Sequence, residues 1–162
     1  MNLNLLTWNV RGMGKSEKIK AVCRLISKHG IKIAFLQETK LEKWKPWMIR
    51  RVGNTRMKEA ILAPSEGASG GLCVTWDPSF FKKIDSITRR RWISVTGFVL
   101  LSNTKIRLIN VYASNNATER KLLFDEISEC IAAEEIPTVI GGILIALNLQ
   151  RKGLVATIVK QT

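Results

Sequence analysis

The sequence predicts an α/β protein, because apolar segments of strand length alternate with two segments of helical period. Leu3, Leu5 and Leu6 form a buried run that stops at Asn9 and opens into the glycine turn Arg11-Gly12-Met13-Gly14. A second apolar run, Ile31 to Leu36, ends in the carboxylate of Glu38. A third signal is the period-two pattern of Ile93, Val95 and Val99 set against Ser94, Thr96 and Phe98. Sheets hold side chains rigidly at strand ends while the loops leave room, so strand-end polar residues are where α/β proteins gather ligands. Asn9 and Glu38 on neighbouring strand ends make a hard-oxygen pair suited to Mg²⁺. Turn capping by the same two residues is the alternative.

The remaining elements follow in order. Ser16 to Lys28 places Ile19, Val22, Cys23 and Ile26 on one helical face, and His29-Gly30 supplies the stop. His29, the only histidine, suits the helix dipole there and is given no catalytic role. Between Glu42 and Arg51, Trp44 and Trp47 are interleaved with cations. They either stack on bases or lie buried under a short amphipathic helix. Ala60 to Ala63 reads as a strand, and Gly67-Ala68-Ser69-Gly70-Gly71 as a turn into a central strand, Leu72 to Trp76. That glycine run lacks the Gly-Lys-Ser/Thr ending and following helix of a P-loop. Lys82 to Thr88 and Trp92 to Leu100 are strands flanking Arg89-Arg90-Arg91. These arginines either grip a DNA backbone or guard a sheet edge against aggregation. Ser102-Asn103-Thr104 turns the chain into a strand over Lys105 to Val111. Thr118 to Glu134 is a helix with Leu123, Phe124, Ile127 and Ile131 inward, followed by a strand over Pro137 to Gly142.

Composition narrows the class. The 162 residues can bury a sizeable core, and 46% hydrophobic content excludes a disordered tail. Twenty-six basic against thirteen acidic residues give a net charge of +13, a tilt toward polyanions such as nucleic acid, with a simple solubility device as the alternative. Cys23, Cys73 and Cys130 are odd in number and show no metal-ligand spacing, so they read as reduced thiols. No apolar run reaches membrane-spanning length and no signal peptide is evident. The expected location is nuclear or cytoplasmic, not secreted, with no membrane partner and no small-molecule cofactor. Oligomeric state is not legible.

Three motifs then carry a resemblance: Thr7-Trp8-Asn9-Val10-Arg11-Gly12, Leu36-Gln37-Glu38-Thr39-Lys40 and Asn110-Val111-Tyr112-Ala113. They occur in that order, with Gly67-Ala68-Ser69-Gly70-Gly71-Leu72 between the second and third. Together they resemble the endonuclease/exonuclease/phosphatase family, most of all the abasic-site-endonuclease-type domain of plant LINE retrotransposons. The resemblance covers residues 2–142, the N-terminal part of that family's domain, and leaves 143–162 as a divergent tail. It implies a four-layered α/β/β/α sandwich and Mg²⁺-dependent nicking of DNA that leaves a 3′-hydroxyl. It also implies Mg²⁺ at Asn9 and Glu38, a catalytic Tyr112 near the scissile phosphate, and phosphate contacts from Asn115 and Arg120. Ser114 stands where the family usually has proline.

The chain departs from the family where the next strand ends. The family has Gly-Asp-Xaa-Asn there, its Asp activating water and its Asn steadying the phosphate; this chain has Gly142-Ile143-Leu144-Ile145. Isoleucine can neither accept a proton nor donate to a phosphate oxygen. Asn148 lies six residues past Gly142 and is no assumed substitute. With the sequence ending at Thr162, the family's last strands and terminal Asp-His pair are also expected to be missing. The apolar run Ile143 to Leu149 is a candidate cover for the sheet face they would leave, and Gln150 to Thr162 reads as a frayed basic end. Loss of a general base alone slows such chemistry by about 10²–10⁴-fold. Little or no nuclease activity is therefore expected. The rival readings are a non-enzymatic nucleic-acid binder, a phosphatase of small phosphoesters, and a retroelement remnant without function.

Overall fold

The computed structural model describes residues 3–52, 56–143 and 159–160. Two sheets face each other. The first has strand order β3-β4-β2-β1-β9, built from β1 (Leu5–Asn9), β2 (Ile33–Gln37), β3 (Glu59–Ala63), β4 (Leu72–Trp76) and the two-residue β9 (Val159–Lys160). The second has order β5-β6-β7-β8, from β5 (Phe81–Thr88), β6 (Trp92–Val99), β7 (Thr104–Tyr112) and β8 (Thr138–Ile143). β1 and β2 are parallel and joined through α1 (Ser16–Lys28); β7 and β8 are parallel and joined through α3 (Ala117–Ala133). Parallel neighbours require such crossovers, whereas β5, β6 and β7 run antiparallel through short turns.

Alternation along the strands separates three cores. Leu5, Ile33, Phe35, Val74, Trp76, Ile93, Val95 and Leu108 meet between the sheets. Their neighbours Leu6, Ala34, Leu36 and Cys73 face outward, onto α1 and α2 (Pro46–Val52) through Ile19, Val22, Ile26 and Val52. Ile109, Val111 and Ile140 face the other way, onto Leu123 and Ile127 of α3. The result is the α/β/β/α sandwich that the sequence implies. The two sheets come close at Gly141: a Cβ there would lie 2.8 Å from the Phe35 ring.

The helices fall where their apolar spacing places them, α3 one residue earlier at each end than expected. His29 ends α1 with its N–H donating to the Leu25 carbonyl at 3.1 Å. The two tryptophans differ in burial. Trp44 packs against the α1 core, while Trp47 stays 38% exposed with the Arg51 guanidinium 5.4 Å above its ring. β6 also departs from simple alternation. Ser94 is buried like Ile93 and Val95, because this strand is covered on both faces. Within the tail read as frayed, Val159–Lys160 pairs in parallel with Leu6–Thr7 of β1. Leu144 to Leu149, the candidate cover, and Asn148 with it, lie outside the described residues.

Candidate phosphoester site at the strand ends

β1, β2 and β7 all finish at one end of the sandwich, and there Asn9, Glu38 and Tyr112 meet. Asn9 Nδ2 donates to Glu38 Oε1 at 2.9 Å, and Tyr112 Oη donates to the same oxygen at 2.8 Å. Residues 29 and 74 apart in sequence from Glu38 thus converge on one carboxylate.

The backbone around Glu38 is held from both sides. The N–H groups of Val10, Gly12 and Met13 donate to the carbonyls of Gln37, Glu38 and Thr39 at 3.0, 2.7 and 2.9 Å. On the other flank, Thr39 and Lys40 donate to Gly71 and Gly70 at 3.1 and 2.9 Å. Arg11, Glu38 and Lys40 all take positive φ, near +50°. Such a conformation disfavours an L-residue by about 1–2 kcal/mol, and this double zipper is what holds it. Gly71 has no substitute here. Its φ is +90°, and a Cβ would lie 2.3 Å from Thr39 Oγ1.

Beneath the carboxylate a buried amide pair ties the two sheets together. Gln37 Nε2 donates to Asn110 Oδ1 at 2.7 Å and to Thr7 Oγ1 at 3.1 Å. Asn110 Nδ2 donates to the carbonyls of Leu36 and Cys73 at 3.1 and 3.0 Å. Both amides are fully buried and satisfied, so they fix the height of Glu38 against Tyr112. Sequence reasoning passed over them. Their signal was a polar residue inside the last positions of an apolar strand, one before Glu38 and two before Tyr112.

Tyr112 lines a narrow cleft with Glu66, Gly70, Gly71, Arg90 and Arg91. Burial pushes its phenol above the usual tyrosine range, the hydrogen bond and charge of Glu38 push the same way, and Arg91 opposes them. The hydroxyl is therefore a proton donor at neutral pH. The Arg91 guanidinium lies 5.8 Å from the Tyr112 ring centre and 3.7 Å from Glu119, while Arg90 is 3.0 Å from Glu66.

The other expected contacts are placed differently. Arg89 bonds to the Thr88 carbonyl at 3.2 Å and faces a neighbouring groove instead of the cleft. Arg120 donates to the carbonyls of Ser114 and Asn115 at 3.1 and 3.0 Å, bracing the entry to α3. Neither Asn115 nor Arg120 lines the Tyr112 cleft. Ser114 does in this loop what proline would do by ring closure. Its Oγ accepts from the Asn116 N–H at 3.1 Å and donates to Glu119 at 2.5 Å. Asn116 then caps α3 by accepting from the Glu119 N–H at 3.0 Å.

The donor set suits Mg²⁺ in part. Glu38 brings a carboxylate of the hard-oxygen class that Mg²⁺ takes while keeping several waters. Asn9 already spends its amide oxygen on the Arg11 N–H at 3.1 Å and its amide nitrogen on Glu38. It orients the carboxylate more directly than it offers a ligand. No group of three or more His, Cys, Asp or Glu side chains placed to hold a metal occurs among the described residues.

No protein-family model matches this sequence, and no curated protein matches it. Solved structures do. The mannosyl-6-phosphatase Bt3783 of Bacteroides thetaiotaomicron VPI-5482 superposes with a TM-score of 0.66 at 10% identity, over 87% of this chain and 64% of that one. The catalytic domain of human Nocturnin, solved with a bound sulfate, gives 0.58 at 15% identity over 83% and 60%. The catalytic domain of Xenopus laevis APE2 gives 0.57 at 14% identity over 85% and 57%. The chain spans less than two thirds of the length of each of these structures. At these identities the likeness is one of architecture, and it shows that the chain adopts the α/β sandwich of the endonuclease/exonuclease/phosphatase type.

Proposed function

We propose that this chain is a LINE-type endonuclease-like domain, resembling those of plant retrotransposons, that binds DNA phosphodiesters but hydrolyses them poorly or not at all. In this reading Glu38, oriented by Asn9, holds Mg²⁺, which when bound would polarise a phosphate oxygen. Tyr112 would turn its hydroxyl from Glu38 to the phosphate once that carboxylate holds the ion, with Arg90 and Arg91 flanking it. Asn115 and Arg120 act at one remove, by setting the loop that follows Tyr112.

The observation that carries the deficit is the pairing of β7 with β8. In register, Tyr112 stands opposite Ile143. The backbone position beside the tyrosine, where the resembling family has a water-activating Asp, thus belongs to a residue without an acceptor. Glu66 and Glu119, the nearest other carboxylates on the cleft's arginines, are committed to Arg90 and Arg91. Charge stabilisation is retained and water activation is not.

Nicking of supercoiled plasmid with and without Mg²⁺, alongside Glu38→Ala and a filter-binding assay, tests this. Salt-sensitive binding is expected, with nicking slower than that of an intact relative by at least about 10²-fold. Rapid Mg²⁺-dependent nicking that Glu38→Ala abolishes would overturn the deficit, and absence of any DNA binding would overturn the reading itself.

A further inference from the structure

The arginine turn has a second side. Between it and α3 runs an open groove of about 290 Å³, whose floor is Leu122 and Leu123 and whose walls include Arg89, Trp92 and Glu126. Arg90 and Arg91 line both this groove and the Tyr112 cleft, so the two spaces meet around the turn. We propose that the groove is a nucleobase subsite that receives the base adjoining the phosphate held at Tyr112. This inference rests on the DNA-binding reading above.

Three features select a base over other occupants. First, Leu122 is 61% exposed on α3 next to buried Leu123, an apolar surface that a flat ring can cover. Second, the guanidinium groups at the rim suit stacking on a base edge-on to the strand. Third, the groove carries carboxylates. Trp92 Nε1 donates to Glu126 Oε2 at 3.0 Å and holds that side chain in the wall, while Glu119 stands beside Arg91. Of these, Glu126 is the carboxylate that can accept from the exocyclic amino group of adenine, cytosine or guanine, since Glu119 is paired with Arg91.

The test uses a labelled short single-stranded oligonucleotide, and a series in which each nucleotide in turn is replaced by an abasic spacer. Anisotropy gives the affinity of each for the wild-type chain and for Leu122→Ser. One abasic position is expected to weaken wild-type binding by about tenfold. Leu122→Ser should erase that position's effect and leave the others unchanged. Because Leu122 is largely exposed, the variant's melting should match the wild type, which separates a local effect from misfolding. Equal weakening across the series, or none, overturns the subsite while leaving DNA binding intact. Failure to bind any oligonucleotide overturns both. A concentration-dependent dimer that Leu122→Ser abolishes would assign the groove to a second copy and also overturn the proposal.

Discussion

Glu38 is the residue on which both sheets act. One of its oxygens receives Asn9 from the first sheet and Tyr112 from the second, while its backbone is held at φ +52°. Removing the phenol tests that arrangement. Tyr112→Phe keeps the ring under Arg91 but deletes the donor, which should lower stability by about 1 kcal/mol at neutral pH. The pH dependence has a definite sign. The folded phenol titrates above its unfolded value of about 10, so its contribution is complete below that pH and is lost as pH rises through the folded value. Wild-type stability should therefore decline more steeply than that of Tyr112→Phe under alkaline conditions. Urea unfolding of both proteins across that range checks it, and parallel curves would show that the hydroxyl is not held by Glu38.

At the scale of elements, the amide pair between strands β2 and β7 governs how the two sheets face each other. Asn110→Ala removes one acceptor and two donated bonds at a buried site, leaving Gln37 short of an acceptor and the Leu36 and Cys73 carbonyls each short of a donor. A loss of about 3 kcal/mol or more is expected, since each orphaned buried group costs about 1–3 kcal/mol. A melting curve close to wild type would mean that the sheets can part there without penalty. Gly71→Ala acts on the loop instead. Its Cβ must push Thr39 away, so melting should drop by the equivalent of about 1–3 kcal/mol, and Glu38 should move with its neighbour. Near-ultraviolet circular dichroism reads the second effect through the environment of Tyr112. These elements also show what one-dimensional reading can reach. Ser16 to Lys28 announces itself by apolar residues at helical spacing, and the strands through Leu72 and Ile93 by short apolar, β-branched-rich runs bounded by turns. Asn9, Glu38 and Tyr112 were legible as polar residues ending apolar strands. Gln37 and Asn110 were not read as partners, because their contact spans 73 residues and neither residue type signals burial. Ser94 alternates with Ile93 and Val95 in sequence yet is buried like them, because this strand is covered on both faces. Arg120 turned to the carbonyls of Ser114 and Asn115 in its own loop, and neither it nor the exposed Asn115 lines the Tyr112 cleft.

For the whole molecule the governing quantity is charge, twenty-six cations against thirteen anions, and the question is how much of it reaches a DNA phosphate. On duplex DNA each phosphate neutralised by a protein cation adds about 0.9 to the slope of log affinity against log salt. Three freely available arginines in the turn would thus account for about 2.7 of that slope. Two of them are not freely available. Arg90 is paired with Glu66 from the loop between β3 and β4, and Arg91 with Glu119 from α3. A phosphate that takes either arginine releases a glutamate, which then gathers solution cations and offsets part of the counterion release. The combined Arg89→Ala, Arg90→Ala, Arg91→Ala variant should therefore lower the slope by clearly less than about 2.7. Glu66→Gln frees Arg90 without altering the turn, and should both tighten binding at low salt and steepen the slope. Glu59→Gln, a distant exposed carboxylate of β3, controls for net charge alone. If both glutamine variants bind equally tightly with equal slopes, the Glu66–Arg90 pair is inert and only net charge matters. If Glu66→Gln alone steepens the slope, phosphate enters by displacing a carboxylate that already spans the two sheets above Tyr112.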